Sequence, residues 1–191
     1  GLNAAWGTAF WGQVYGEWEH VGAPAATPTI VNPAQKLDFA RFTDHQLRQC
    51  FLREKAAIRA HATQPITTNF MAHQSWNVDL WEWAKIVDVV SDDHYLWSPD
   101  PDAHVSLSLA ADLTRSVAGG KPWMLMEPST SGVNWQGRNI SKRPGEMRRN
   151  SLSHLGRGAD AIMFFQWRAS RSGAEKFHSA MLPHAGTGSR L

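Results

Sequence analysis

The sequence of 191 residues contains a single cysteine, Cys50, and no long hydrophobic run. One cysteine excludes an internal disulfide and a cysteine-based zinc cluster. The apolar runs are a few residues long, whereas a membrane-spanning helix needs roughly 18. An excess of one charge is also lacking, because 19 Lys and Arg against 17 Asp and Glu leave a net charge of +2. These features argue against a membrane or a nucleic acid as partner.

Tyrosine is scarce as well, with two residues against ten tryptophans. Hydrophobic residues make up 42% of the chain, which excludes intrinsic disorder at this low net charge. The length suits one globular domain or part of a larger one. The chain starts GLNAAWGTAFWG, without an initiator Met or a signal peptide pattern. We therefore expect a cytoplasmic protein, and we expect that residue 1 is not a natural start.

The first 34 residues are rich in tryptophan and, further on, in Pro, Ala and Thr. No sustained helical or strand period emerges there, so we predict a long loop with short helical pieces. Asn32 and Pro33 favour a helix start, because Asn caps free N–H groups and Pro is tolerated in the first turn. The segment from there to about Ala62 lacks Gly and Pro. It is predicted to form one long helix.

After this helix, β-prone runs alternate with helical segments. Strands spaced by helices in this way predict an α/β fold with a parallel sheet. About four strands fall short of a closed (β/α)8 barrel, which needs eight and typically about 250 residues. The pattern leaves both a small open α/β domain and half of a barrel possible. The predicted strands are 65–71, 88–95, 122–127 and 161–167, and the predicted helices are 79–87, 105–118 and 144–157.

Polar and aromatic residues recur at the ends of the predicted strands, where active sites of parallel α/β folds lie. Glu127 stands out because it directly follows the apolar run Trp123–Met126. A carboxylate there is costly to desolvate unless it is hydrogen-bonded or paired. It is either a functional carboxylate or a cap for the N–H groups of the loop. Trp135, eight residues on, is either a platform for a sugar face or a cover for the rim.

Other polar groups carry weaker signals. Asp92, Asp93 and His94 are consecutive and cannot converge on one ion, so we predict no metal site. The sequence has no phosphate-binding loop or dinucleotide-binding glycine motif, and we predict no cofactor. A basic cluster is interpreted as the solvated face of a helix. Its members are Lys142, Arg143, Arg148 and Arg149.

Seven segments of the chain, taken together, resemble the glycoside hydrolase family 42 β-galactosidases. They are LNAAWGTAFWGQVY (2–15), NPAQKLDFARF (32–42), TTNFM (67–71), DDHY (92–95), LMEPSTSGVNW (125–135), FFQWR (164–168) and the Glu175–His178 pair in GAEKFHS. The resemblance implies a (β/α)8 TIM barrel, of which residues 1–191 would be the second half, strands five to eight. Residues 1–34 would be a tryptophan-rich active-site loop region within it.

The resemblance also implies a function, the hydrolysis of terminal β-D-galactosides with retention. A retaining enzyme uses a nucleophilic carboxylate and a second carboxyl group as acid and base. By the family match, Glu127 would be the nucleophile and Tyr95 would hydrogen-bond it. Homo-oligomers, trimers among them, are common in the resembling family. The galactose subsite would be lined by Trp11, Tyr95, Trp135, Glu175 and His178.

The resemblance leaves one catalytic group unassigned. In the family the acid/base is the Glu of an Asn-Glu pair at the end of strand four, upstream of the LNAAWGTAFW segment. This sequence contains no Asn-Glu pair. We therefore expect little or no β-galactosidase activity from the chain by itself. The alternatives to a piece of a hydrolase are a carbohydrate-binding module without catalysis and an assembly module.

Overall fold

The computed structural model describes residues 1–75 and 77–188, which fall into two compact units. The first unit holds residues 1–63 and a short segment that includes 77–79. The second holds residues 64–75 and the chain from Leu80 onward. Within the described residues, no helix combines the length and the apolar character that crossing a membrane requires.

The first unit is helical. Helix α1 spans Leu2–Trp6, a short 3-10 helix spans Trp18–His20, and α2 spans Pro33–Arg59. Asn32 caps α2, because its Oδ1 accepts hydrogen bonds from the N–H groups of Ala34 and Gln35. The predicted loop with short helical pieces and the predicted long helix are both confirmed.

Helix α2 has an unusual burial pattern. Its buried residues are polar, Gln35 and Asp44. The indole of Trp6 is buried and donates to Oδ2 of Asp38 at 2.9 Å, which fastens α1 to α2. The large apolar side chains of α2 are exposed: Leu37, Phe39, Phe42, Leu47, Leu52 and Ile58.

The second unit is built on a parallel sheet of order β1-β2-β3. Its strands are β1, Val90–Asp93; β2, Trp123–Glu127; and β3, Ala161–Ile162. Its α-helices are α3, Leu80–Ala84; α4, Ala103–Ala118; and α5, Glu146–Gly156. A 3-10 helix spans Ala72–Gln74. The parallel α/β class predicted from the sequence is confirmed.

The core of the second unit lies between α4 and the sheet. Ala110 and Ala111 of α4 are fully buried, and their small side chains let the helix approach the strands closely. Trp123 and Leu125 of β2 fill the sheet side and are 1% and 0% exposed. This packing fixes β2, and with it the position of Glu127 at its end.

The prediction of about four strands needs correction, since the described residues form three. Residues 65–71 are not a strand, although they run beside β1. Only some of the hydrogen bonds between this segment and the chain at β1 join two backbone groups. One example is the N–H of Asp88, just before β1, which donates to the Ile66 carbonyl at 2.9 Å. Other links use side chains, because the hydroxyls of Thr67 and Ser91 donate across the pair in place of ladder bonds. The predicted fourth strand is likewise reduced to Ala161–Ile162.

Strand β1 carries an irregularity at its carboxyl end. Asp92 lies opposite Leu125, but Asp93 lies opposite Glu127, so the register shifts by one residue between them. A bulge of this kind redirects the side chains that follow it. It places Asp93 directly beside the residue that the sequence analysis singled out.

Candidate active site

Glu127 and Tyr95 form the centre of the candidate site. Glu127 ends β2, Tyr95 follows β1 by two residues, and parallel pairing brings these strand ends together. The Tyr95 hydroxyl donates to Oε2 of Glu127 at 2.7 Å. The backbone of Glu127 is held as well, since its carbonyl accepts from the His94 N–H at 2.8 Å. The predicted contact between Tyr95 and Glu127 is therefore present.

The phenol of Tyr95 remains protonated, which is what a donor requires. Burial raises the pKa of Tyr95, and its hydrogen bond to Glu127 and the negative charge of Glu127 raise it further. The charges of Asp93 and Glu175 act in the same direction. At neutral pH, Tyr95 therefore keeps its proton and donates it to the Glu127 side chain.

An amide lies between two carboxylates beside this pair. Asn69 Nδ2 donates to Oδ2 of Asp93 at 2.6 Å and reaches Oε1 of Glu127 at 3.4 Å. Asp93 is 5% exposed. Burial and the charge of Glu127 raise the pKa of Asp93 to about 6, although the Asn69 hydrogen bond opposes the rise. Asn69 thus stabilises both acidic groups from one position.

An aromatic and histidine wall adjoins Tyr95. The Tyr95 ring meets Trp135 edge to face with centroids 5.0 Å apart, and His178 at 6.0 Å. Trp135 is 53% exposed, whereas His178 is 2% exposed and also contacts Phe165. His178 Nδ1 lies 3.0 Å from the Ser179 carbonyl, which only accepts, so Nδ1 carries the proton. Its Nε2 is buried and finds no hydrogen-bond partner within residues 1–75 and 77–188.

Glu175 and Trp11, the other two residues predicted for the galactose subsite, belong to different units. Glu175 is exposed on a turn that its carbonyl closes by accepting from the His178 N–H at 3.0 Å. Its link to the centre is electrostatic, through its effect on the pKa of Tyr95. Trp11 belongs to the first unit, where it is half-buried and meets Phe10 edge to face at 5.1 Å.

Comparison with known proteins identifies the family. The sequence profile of the family described as Beta-galactosidase, glycoside hydrolase family 42, matches residues 1–191. The chain belongs to this family. A beta-galactosidase of Arthrobacter sp. is 54% identical over 193 residues, covering 100% of this chain and 28% of the relative. BgaB of Geobacillus sp. is 46% identical over 186 residues, covering 96% of this chain and 27% of the relative.

Solved structures agree with this assignment. The beta-galactosidase from Bacillus circulans sp. alkalophilus has a TM-score of 0.85 and 36% identity over 97% of this chain and 28% of its own. A catalytic mutant of a GH42 beta-galactosidase from G. stearothermophilus also has a TM-score of 0.85 and 36% identity, over 99% and 29%. The family 42 chain therefore has part of a TIM-barrel fold. It spans just over a quarter of the length of these relatives.

Two residues of this family 42 site, Asn69 and Asp93, were not assigned a role from the sequence. Both lie near the carboxyl ends of predicted strands, Asn69 in PITTNFM (65–71) and Asp93 in DVVSDDHY (88–95), and that position was the available signal. The pairing of Asp93 with Glu127 depends on the register shift in β1, and no sequence pattern predicts that shift.

The three consecutive residues considered for a metal point to different surroundings. Asp92 Oδ1 accepts from the Ala72 N–H at 2.8 Å, Asp93 pairs with Asn69, and His94 lies between the rings of His73 and His154. Burial raises the pKa of Asp92 to about 7 and lowers that of His94 to about 3. Among the described residues, no group of three or more His, Cys, Asp or Glu is arranged to hold a metal ion.

The interpretation of the basic cluster as a solvated helix face is wrong for Lys142. This residue precedes α5 and is half-buried, and its ammonium group donates to oxygens of Ser129 and Ser131. A charge pattern alone does not reveal this, because the acceptors are uncharged oxygens in a loop eleven to thirteen residues upstream.

Proposed function

We propose that the chain supplies the nucleophile, Glu127, of a retaining β-galactosidase. The observation that carries the proposal is the 2.7 Å hydrogen bond from a protonated Tyr95 to Glu127 at the carboxyl end of a parallel strand. Two further findings support it. The relatives are named beta-galactosidases, and the G. stearothermophilus structure is a catalytic mutant in which a glutamate is replaced by alanine.

In the proposed reaction, one oxygen of the Glu127 carboxylate attacks the anomeric carbon of the galactoside. The glycosidic C–O bond breaks, and the leaving oxygen takes a proton from the general acid. Water, deprotonated by the same group, then cleaves the galactosyl ester and releases the carboxylate. Tyr95 holds Oε2, so Oε1 is the oxygen proposed to attack.

The sugar would bind against the wall beside Tyr95. The buried Nε2 of His178 is free to accept a hydrogen bond, and a sugar hydroxyl would satisfy it. The exposed indole of Trp135 offers an apolar face to the pyranose ring. Glu175 is proposed to accept bonds from further hydroxyls, and Trp11 is proposed as another member of the galactose subsite.

The general acid/base is proposed to come from a residue outside this sequence. Asp93 is the carboxyl group next to Glu127, but it is buried and held by Asn69, which suits a supporting role. Losing a general acid typically costs about 10²- to 10⁴-fold in rate. The chain by itself is therefore expected to have little or no activity.

A chimera tests this proposal. The chain would replace the matching segment of the Arthrobacter beta-galactosidase, and hydrolysis of an aryl β-galactoside would be measured with Glu127→Ala. We expect loss of turnover. With added sodium azide the variant should form α-galactosyl azide, because azide then attacks the anomeric carbon from the side that the Glu127 carboxylate no longer occupies. Glu82→Ala on α3 is the matched control, because Glu82 is an accessible glutamate on a helix. Retained turnover in Glu127→Ala, or a β-azide product, would contradict the assignment.

A further inference from the structure

The ammonium group of Lys142 holds the loop that follows Glu127. Its Nζ donates to the carbonyl and the hydroxyl of Ser129, both at 2.5 Å, and to the carbonyl of Ser131 at 3.3 Å. The backbone N–H of Lys142 adds a bond to the Ser131 hydroxyl at 3.0 Å. An ammonium group has three N–H donors, so these three oxygens match its capacity.

This arrangement is expensive for a structural contact. The three acceptors are neutral, and burial lowers the pKa of Lys142 to about 8, against the opposing charge of Glu146. A half-buried charge without a carboxylate among its closest partners is commonly less stabilising than an apolar side chain of similar size. What the ammonium group does provide is geometry, because its three bonds fix Ser129 and Ser131 relative to one another.

The same loop is joined to the segment that carries His178. Ser179 Oγ accepts from the Ser131 N–H at 2.7 Å and from the Thr130 hydroxyl at 2.9 Å. The Ser179 N–H in turn donates to the Gly132 carbonyl at 3.1 Å. Ser179 directly follows His178, so a shift of the loop would move the histidine that adjoins Tyr95.

We infer that Lys142 is a positioning residue that fixes the relative position of Glu127 and His178 through the Ser129–Ser131 loop. Its described hydrogen bonds go to Ser129 and Ser131, and these two residues connect it to both groups. The inference rests on the proposed function, because it assigns Lys142 a part in the reaction of Glu127.

Hydrogen exchange on the 191-residue chain tests the positioning directly. Lys142→Met removes the charge and the donors but keeps the length of the side chain. The amides of Ser131 and Ser179 should then exchange about 10-fold faster or more, while those of β1 and β2 keep their rates. Lys85→Met, at an exposed lysine of the second unit, is the matched control and should change neither set. Unchanged exchange at Ser131 and Ser179, or an equal rise across the sheet, would overturn the inference.

A second variant decides the question if the methionine variant does not fold. Ser129→Ala removes one acceptor and leaves the ammonium bonded to two carbonyls. It should raise exchange at the same two amides by a few-fold, and no change there would overturn the inference.

Kinetics in the Arthrobacter chimera test the consequence for catalysis. Lys142→Met should lower kcat by about 10- to 100-fold, because small displacements of reacting groups cost that much. KM should rise as well, because His178, which is proposed to accept from a sugar hydroxyl, shifts with the loop. If Glu127→Ala abolishes turnover but Lys142→Met keeps kcat, the role of Lys142 is wrong and the nucleophile stands. If Glu127→Ala retains turnover, the proposed function is wrong, and hydrogen exchange still decides whether Lys142 fixes the loop.

Discussion

The interiors of the two units are stabilised by different interactions. In the first, most buried residues are polar, such as Asn32, Gln35 and Asp44, with Trp6 as the main apolar exception. In the second, the core is apolar and centred on Leu107, Trp123 and Leu125. A hydrogen bond contributes about 1 kcal/mol net, whereas burying one large apolar side chain contributes about 1.5–3. The second unit should therefore hold most of the measurable stability, and it also contains Glu127.

The largest effect is expected from the same substitution made in each unit. Leu125→Ala empties a fully buried site in β2 and should lower the free energy of unfolding by about 2–5 kcal/mol. Leu37→Ala on α2, where the side chain is 51% exposed, should change it by less than about 0.5 kcal/mol. Urea titrations followed by circular dichroism measure both. Comparable losses at the two sites would remove the distinction between the units.

Acid should act on the second unit through His94. Burial, together with the nearby His154 and His73, lowers its pKa to about 3, whereas an unfolded histidine titrates near 6.5. The folded state therefore binds fewer protons on this ring between those values. Its contribution is complete above pH 6.5 and is lost as the pH falls toward 3, by up to about 1.4 kcal/mol per pH unit.

His94→Leu isolates the contribution of His94 to the pH dependence of stability. The raised pKa values of Asp92 and Asp93 favour the folded state as the pH falls, but they are present in both proteins. Between pH 7 and pH 4.5, the variant should lose less unfolding free energy than the parent chain. Urea titrations at the two pH values give the difference. Equal losses would show that His94 does not set the response to acid.

A smaller effect is expected from the hydrogen bonds that organise the first unit. Asn32→Ala removes the cap of α2 and the bonds from Nδ2 to the Trp6 carbonyl and to Oε1 of Gln13, both at 2.9 Å. The expected cost is about 1–2 kcal/mol, seen as lower helicity and a lower urea midpoint. Asn32→Asp keeps the capping oxygen and loses the donors, so it should lie between the parent and the alanine variant. An alanine variant as stable as the parent would mean that this cap does not matter.

Local chemistry explains which parts of the fold the sequence predicted. The start of α2 was predictable because Asn32 and Pro33 act within one turn of their own positions. The strand at 65–71 was wrongly predicted because its pairing with β1 uses the hydroxyls of Thr67 and Ser91, which apolar patterning does not register.

The candidate site divides in the same way. Glu127 was visible as a carboxylate closing an apolar run, and the family resemblance supplied Tyr95 as its partner. The prediction of a solvated helix face was wrong for Lys142, because its surroundings are formed by the loop of Ser129 and Ser131 that follows β2. The contribution of Trp11 to the site stays a prediction.

The register shift between Asp92 and Asp93 has a wider consequence for how this sequence can change. Up to Asp92, β1 and β2 pair in one register, and Val90, Trp123 and Leu125 of this paired part belong to the core. Beyond the shift the register is reset by one residue, so Asp93 faces Glu127 instead of Met126. The core residues and the residue beside Glu127 therefore follow two different registers of the same strand pair. Substitutions before the shift can repack the interior without changing which side chains meet beside Glu127.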